Sequence, residues 1–99
     1  MDNEAAGRKY DADKLKWHLL KLKWLEPVVR VFMFGAKKYA PFNWQLVVKG
    51  DPTRYIDALK RHLADYEEGE RTEPESGQPT MAHLICCGIF LLWHDNEVK

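Results

Sequence analysis

The chain has 99 residues, which is the length of one small domain. Its 15 Lys and Arg balance its 15 Asp and Glu, so the formal net charge at pH 7 is zero. A neutral chain lacks the basic excess of a protein that coats nucleic acid, and it has no electrostatic attraction to a membrane surface.

The N-terminal quarter combines a polar start with an apolar, lysine-rich stretch. Residues 1–9 are expected to be flexible, and residues 10–99 are expected to form a single all-α domain. Asp11 or Asp13 is suited to cap a helix over residues 14–24. Leucine and tryptophan are interleaved with lysine along this stretch, a pattern that is only loosely amphipathic.

A cleaner helical pattern follows this stretch. Pro27 suits a first helical turn, and apolar or small residues then recur at helical spacing as far as Tyr39. Pro41 ends this second helix. Residues 41–51 are predicted to be a connection, with a short extended piece at residues 46–48.

Two more helices complete the predicted fold. The third runs from Pro52 to about residue 68, and a polar loop over residues 70–79 follows it. The buried seam of the third helix is expected to consist of Ile56, Leu59, Leu63 and Tyr66. The fourth helix, residues 80–94, is apolar nearly all round and is therefore expected to be central. We predict a small all-α four-helix bundle, and pairing of copies would give so short a chain more buried area.

The fourth predicted helix also carries the two cysteines of the chain. Cys86 and Cys87 are adjacent, and neighbouring helical positions point about 100° apart, so the two thiols do not easily bridge each other. Both are expected to be core residues of a cytoplasmic protein. The apolar run here, residues 81–93, is shorter than the roughly 20 residues that span a bilayer, so no membrane association is expected.

Carboxylates and imidazoles gather on the third helix, in the loop after it and at the start of the fourth helix. In chain order they are Asp57, His62, Asp65, Glu68, Glu70, Glu75 and His83, with Arg61 among them. Such groups are suited to hold Mg²⁺ or Mn²⁺ against a triphosphate. The alternative is a solvated face with salt bridges, and a hydrogen-bonded core position for His83.

Basic and aromatic residues form a second constellation. They are Lys9, Tyr10, Lys14, Lys16 and Trp17 near the start, and Lys37, Lys38, Tyr39, Asn43 and Trp44 further along. Lysines neutralise phosphates, and aromatic rings stack on bases. The alternative is that the rings belong to the core while the lysines only keep the surface soluble.

Five segments carry a family resemblance. They are KYDADKLKWHLL, FGAKKY, NW, RYIDALKRHLADYEEGE and ESGQPTMAHLICCGIFLL, in that order. Together they resemble a phage-encoded family of dATP/dGTP diphosphohydrolase-like proteins, which are similar to the MazG-like all-α NTP pyrophosphatases. The resemblance implies a MazG-like bundle that assembles into a homo-oligomer in the host cytoplasm. It also implies cleavage of a purine deoxynucleoside triphosphate to the monophosphate and pyrophosphate, with Mg²⁺ or Mn²⁺.

The hypothesis that the protein is a metal-dependent nucleotide pyrophosphohydrolase assigns roles to individual residues. His62 and Glu75 are the candidate general bases, since each side chain is able to accept a proton from water. The metal ligands would be Asp65, Glu70, Glu75 and His83. The residues that contact the nucleotide would be Lys9, Tyr10, Lys14, Trp17, Lys38, Asn43, Trp44 and Arg61.

Three positions depart from the family pattern and leave other functions open. His18, Glu73 and Thr80 stand where the family usually has Asp, Asp and His, and these positions could bind metal. A second hypothesis is therefore a weak or inactive phage homologue that sequesters a nucleotide, such as a host immune signal with an anti-defence effect. A third is a helical domain that binds a protein partner. Recognition of a specific nucleic-acid sequence is not expected under any of them.

Overall fold

The computed structural model describes residues 7–97 and contains four α-helices. These are α1 (Glu26–Lys38), α2 (Asn43–Gly50), α3 (Thr53–Glu67) and α4 (Thr80–Glu97). The only β-type pairing within this range is one isolated bridge in the loop after α3. The all-α prediction is therefore confirmed. Most of the predicted flexible start, residues 1–6, lies outside the described residues.

The predicted helix over residues 14–24 is wrong. The chain there forms only two 3₁₀ turns, Trp17–Leu19 and Leu22–Leu25, and every residue from 7 to 24 is exposed. Only the second turn packs appreciably against a helix, namely α1. A helix of about eleven residues without a packed face is marginal in water, which explains why the loosely amphipathic pattern does not form one. We call residues 9–24 the arm.

The predicted connection between the second and third helices is also wrong, because residues 43–50 form α2. Trp44, Val47 and Val48 share a helical face, and Val48 is completely buried. This face packs on α4 and α3. Since a helix of eight residues gains little from propensity alone, tertiary packing stabilises α2.

Helix α3 agrees with its predicted span, but its buried face is rotated relative to the prediction. Ile56 and Leu63 are exposed. The partly buried positions are Tyr55, Ala58, Leu59, His62 and Tyr66. The rotation matters because it turns His62 toward α4.

Helix α4 is the central element, as predicted, and packs against the other three helices. The core consists of Val28, Val31, Ala82 and Cys86. Cys87 is also buried, so the prediction that both cysteines are core residues is confirmed. Burial raises the pKa of the Cys86 thiol to about 12 and that of Cys87 to about 11. No helix within residues 7–97 has the length and apolarity needed to cross a membrane.

Candidate functional site

A cleft of about 630 Å³ opens between α1, the α1–α2 connection and α3. Its walls are mostly apolar, which is typical of pockets that hold small organic ligands. The polar side chains in its lining are Lys38, Tyr39, Asn43, Arg54, Tyr55, Arg61 and His83.

The charge of the cleft differs from that of the whole chain. Lys38, Arg54 and Arg61 line it, whereas no Asp or Glu among the described residues does. Neither arginine is engaged in an ion pair within residues 7–97. Three cationic side chains around one mostly apolar cavity favour an anionic ligand with an apolar or aromatic part.

Aromatic rings form the inner wall of the cleft. Trp44 stacks on Phe90 with ring centroids 4.4 Å apart, and Phe32 meets Phe90 edge-on at 5.5 Å. Tyr55 contacts Phe90 from α3 with centroids 4.7 Å apart. Trp44, predicted to contact a nucleotide, therefore belongs to the aromatic core and lines the cleft at the same time.

Phe42 lies at the cleft with an unusual backbone. Its φ of 63° is in the left-handed region, which a bulky side chain rarely adopts. The ring lines the cleft and stays 65% exposed. Strained backbones of this kind are concentrated at ligand sites, where the surrounding structure holds them in place.

The loop between α3 and α4 folds back as a short hairpin beside the cleft. The amide of Glu73 donates to the carbonyl of Gln78 at 2.8 Å, and the amide of Gly77 donates to the carbonyl of Glu73 at 2.8 Å. Gly77 has a φ of 74°, which glycine adopts without steric cost. The fold of the hairpin brings Glu75 next to α1 and Ser76 next to α4.

His83 connects this hairpin with the cleft. Its Nε2 lies 2.6 Å from Ser76 Oγ and 3.5 Å from Glu73 Oε1. The Gln78 amide donates to Ser76 Oγ, which leaves the hydroxyl proton free to be donated to an unprotonated Nε2. Burial lowers the pKa of His83, so the neutral imidazole is favoured. Hydrogen bonds from Ser76 lower the pKa of Glu73 despite the opposing effect of its partial burial.

His62 lies behind His83, with the two ring centroids 5.1 Å apart. Burial lowers its pKa as well, and its Nδ1 is buried without a hydrogen-bond partner. His62 does not line the cleft, whereas His83 does. The imidazole best placed to meet a ligand is therefore that of His83.

Lys38, at the end of α1, and Glu75, in the hairpin, form an ion pair. Lys38 Nζ donates to Glu75 Oε2 at 2.6 Å, and this hydrogen bond, with a smaller contribution from Tyr39, raises the pKa of the lysine. The sequence assigned these residues to different tasks, phosphate contact and proton or metal binding. In this structure the two side chains neutralise each other.

The structure brings together some of the predicted site residues and separates others. Around the cleft it gathers Lys38, Asn43, Trp44, Arg61 and His83, with Glu75 and His62 next to them. The four residues predicted on the arm do not join them. Lys9, Tyr10 and Lys14 line only a concave surface of their own segment, and Trp17 is 69% exposed.

The predicted metal ligands are not gathered into one site. No group of three or more His, Cys, Asp or Glu within residues 7–97 is placed to hold a metal ion. Glu75 and His83 lie at the hairpin, but Asp65 and Glu70 are exposed and outside the cleft lining. The side chains of one chain, as they lie here, do not fit a complete Mg²⁺ or Mn²⁺ site, and the cofactor stays a prediction.

Three residues of the cleft were not predicted as site residues. Arg54 stands seven residues before Arg61 on α3, a spacing that places both on one helical face and could have indicated a shared role. Tyr55 shares the inward face of α3 with Leu59. Phe42 carries no sequence signal for a left-handed conformation, because that conformation depends on how α2 packs.

Comparisons with known proteins bear on what such a cleft is for. The chain is 33% identical over 92 residues to a protein of Salmonella phage PMBT28 named dATP/dGTP diphosphohydrolase. The match covers 92% of this chain but only 30% of that protein. No solved structure matches the chain. The family described as dATP/dGTP diphosphohydrolase, N-terminal, matches residues 4–99, and the chain belongs to this family.

Proposed function

We propose that the cleft binds a purine nucleoside triphosphate and that the protein hydrolyses it to the monophosphate and pyrophosphate. The observation that carries this proposal is the lining, in which three cationic side chains and several aromatic rings surround a cavity without any carboxylate. The name of the phage relative supports the same substrate class and reaction.

Each part of a nucleotide has a counterpart in the lining. Arg54 and Arg61, which form no ion pair within residues 7–97, neutralise the phosphates with two parallel hydrogen bonds each, and Lys38 joins them when its hydrogen bond to Glu75 opens. Phe42 and Tyr39, whose rings are largely exposed at the cleft, stack on the base. Asn43 offers both a donor and an acceptor to the edge of the base.

Hydrolysis requires a group that accepts a proton from the attacking water. In our proposal water attacks the α-phosphorus, the bond from this phosphorus to the bridging oxygen breaks, and pyrophosphate leaves. The Ser76 hydroxyl, 2.6 Å from Nε2 of neutral His83, passes its proton to this nitrogen and takes up the proton of the water, and Glu73, 3.5 Å from Nε2, stabilises the resulting imidazolium. The arginines stabilise the charge that develops on the phosphate oxygens.

Capture of an intact nucleotide is the second candidate function. This function is supported by the positions of the predicted metal ligands, which are not gathered into one site within residues 7–97. They are Asp65, Glu70, Glu75 and His83. The cationic and aromatic side chains of the cleft, in contrast, line a single cavity. In this version the same cationic groups hold the ligand and no bond is cleaved. A host signalling nucleotide falls within this chemical class.

One experiment tests binding and chemistry together. The purified protein is mixed with a panel of purine and pyrimidine nucleotides in the presence of Mg²⁺, Mn²⁺ or a chelator, and bound and released species are identified by mass spectrometry. We expect a purine triphosphate to be bound and the monophosphate to appear. Recovery of the intact ligand under every metal condition would instead support capture.

Charge-removing variants locate the binding site. Arg54→Ala and Arg61→Ala are each expected to weaken binding of the triphosphate about tenfold or more, because each removes a charge-assisted hydrogen bond. Arg30→Ala is the matched control, since Arg30 lies on α1 outside the cleft and pairs with Glu26. Equal affinity in all three variants would contradict the proposed site.

A further inference from the structure

The arm exposes far more apolar surface than a small monomer normally does. Between residues 15 and 24 it carries six large exposed apolar side chains: Leu15, Trp17, Leu19, Leu20, Leu22 and Trp24. Six such side chains within ten residues are more than the single, scattered apolar groups of an ordinary protein surface, and this concentration favours an interaction site. The arm also lengthens the molecule, which measures 54 Å although its longest helix has only 18 residues, about 27 Å.

The charge of the arm restricts what covers it. Residues 9–24 contain five lysines and two aspartates, a net charge of +3. The cleft of the same chain is lined by three cations, so it repels the arm. A segment that is both apolar and basic requires a surface that is apolar and acidic.

The chain itself has such a surface at the end of α3. Residues 65–75, which we call the acidic lobe, contain six carboxylates and one arginine, a net charge of −5. Four of these carboxylates are exposed and form no ion pair within residues 7–97: Asp65, Glu67, Glu68 and Glu70. Leu63, exposed one turn before Glu67 on the same face of α3, supplies an apolar contact beside them.

We infer that two copies of this chain exchange arms, so that the arm of each docks on the acidic lobe and the outer face of α3 of the other. The arm and the acidic lobe carry net charges of opposite sign, and each copy of the chain has one arm and one acidic lobe. Two reciprocal contacts therefore form a closed, symmetric pair in which both arms are covered. The inference rests on the exposed carboxylates that form no ion pair within residues 7–97, and not on Glu73 or Glu75 beside the cleft.

A charge-swap experiment on the full chain tests the exchange. The arm-reversed variant carries Lys16→Glu, Lys21→Glu and Lys23→Glu, and the lobe-reversed variant carries Glu67→Lys, Glu68→Lys and Glu70→Lys. In each variant alone the arm and the lobe carry net charges of like sign, whereas in the mixture each arm meets a lobe of opposite sign. Lys37→Glu with Lys49→Glu is the control, because these exposed lysines lie outside both surfaces.

Light scattering after size-exclusion chromatography gives the mass of each species. We expect a dimer for the unmodified chain and for the control, monomers for each swapped variant alone, and a heterodimer when the two variants are mixed. Circular dichroism of the swapped variants, expected to retain the helical signal, shows that they fold. The inference is overturned if the unmodified chain is a monomer. This is the result expected if the arm folds back on its own chain or binds a different protein or a nucleic acid. The inference is also overturned if the mixture of the two swapped variants stays monomeric, or if either swapped variant forms a dimer by itself.

Discussion

The paired imidazoles of His62 and His83 give the protein a defined response to pH. Burial lowers the pKa of both histidines, so below a pH of about 6.5 the unfolded chain binds more protons than the folded chain. The free energy of unfolding is therefore expected to fall as the pH decreases from about 6.5 toward the folded-state pKa values. Urea unfolding between pH 7.5 and 5.5 measures this dependence.

Substitution of the histidines tests which groups cause the pH dependence of the free energy of unfolding. In the double variant His62→Gln, His83→Gln the dependence is expected to flatten, while His18→Gln, at an exposed position on the arm, should leave it unchanged. A double variant as sensitive to acid as the original chain would show that other groups govern the response.

Phe42 combines a backbone cost with a binding role. A left-handed conformation costs a residue with a side chain about 1–2 kcal/mol, part of which glycine recovers. Phe42→Gly is therefore expected to raise the free energy of unfolding by about 0.5–1 kcal/mol and to weaken nucleotide binding about tenfold through the lost ring. Denaturation and titration calorimetry measure the two effects.

The alanine variant separates the two contributions of Phe42. Phe42→Ala loses the ring but keeps the left-handed backbone, so it should lose affinity without the gain in stability. If Phe42→Gly bound the nucleotide as tightly as the original chain, the ring would have no part in recognition.

The sequence predicted part of the site at the level of single residues. Lys38 and Arg61 were predicted to contact phosphate and His83 to bind metal, and all three line the candidate cleft, while these roles stay predictions. The location of Lys14 and Trp17 could not be inferred, because no pattern within a segment shows which surface it packs against. Phe42 was missed for a related reason: its conformation is imposed by its surroundings.

At the scale of the elements, substitution tests directly whether residues 43–50 form a helix or an extended segment. In an extended segment residues 46 and 48 point to the same side, whereas in a helix they lie on different faces. Val48 is 0% exposed and Leu46 is 71% exposed. Val48→Ala is therefore expected to reduce the free energy of unfolding by about 1–3 kcal/mol, and Leu46→Ala to change it by less than about 0.5 kcal/mol.

Chemical denaturation of both variants, compared with the original chain, checks this pair of values. Similar losses in both would favour the extended piece predicted at residues 46–48. A loss at Val48 alone is the signature of a helix packed through one face.

The elements also show where sequence reasoning succeeds and where it fails. The helices with strong periodicity or continuous apolar surface, α1, α3 and α4, could be placed to within a few residues. Helix α2 was missed because eight residues provide too short a pattern, and its packing on α4 and α3 decides its conformation. The helix predicted over residues 14–24 does not form because residues 7–24 stay exposed and only the turn Leu22–Leu25 packs against a helix of the described part of the chain.

At the scale of the whole molecule, the bundle and the arm are distinct in packing. The radius of gyration is 17.8 Å, whereas a compact chain of this length has about 13 Å. The exposed arm, of which only the turn Leu22–Leu25 packs appreciably against a helix, is consistent with this extended shape. The predicted count of four helices is right for the described residues, although one of the four is α2 and not the helix predicted over residues 14–24.

The formal net charge of zero results from basic and acidic residues that are concentrated in different segments of the chain. Positive groups lie on the arm and around the cleft, and negative groups lie at the end of α3 and in the hairpin. Arg54 and Arg61 keep a local positive charge at the cleft even at a pH where the total charge vanishes, because neither forms an ion pair within residues 7–97. A polyanion is therefore attracted to the cleft before any contact forms, and added salt weakens this attraction over a Debye length of about 8–10 Å.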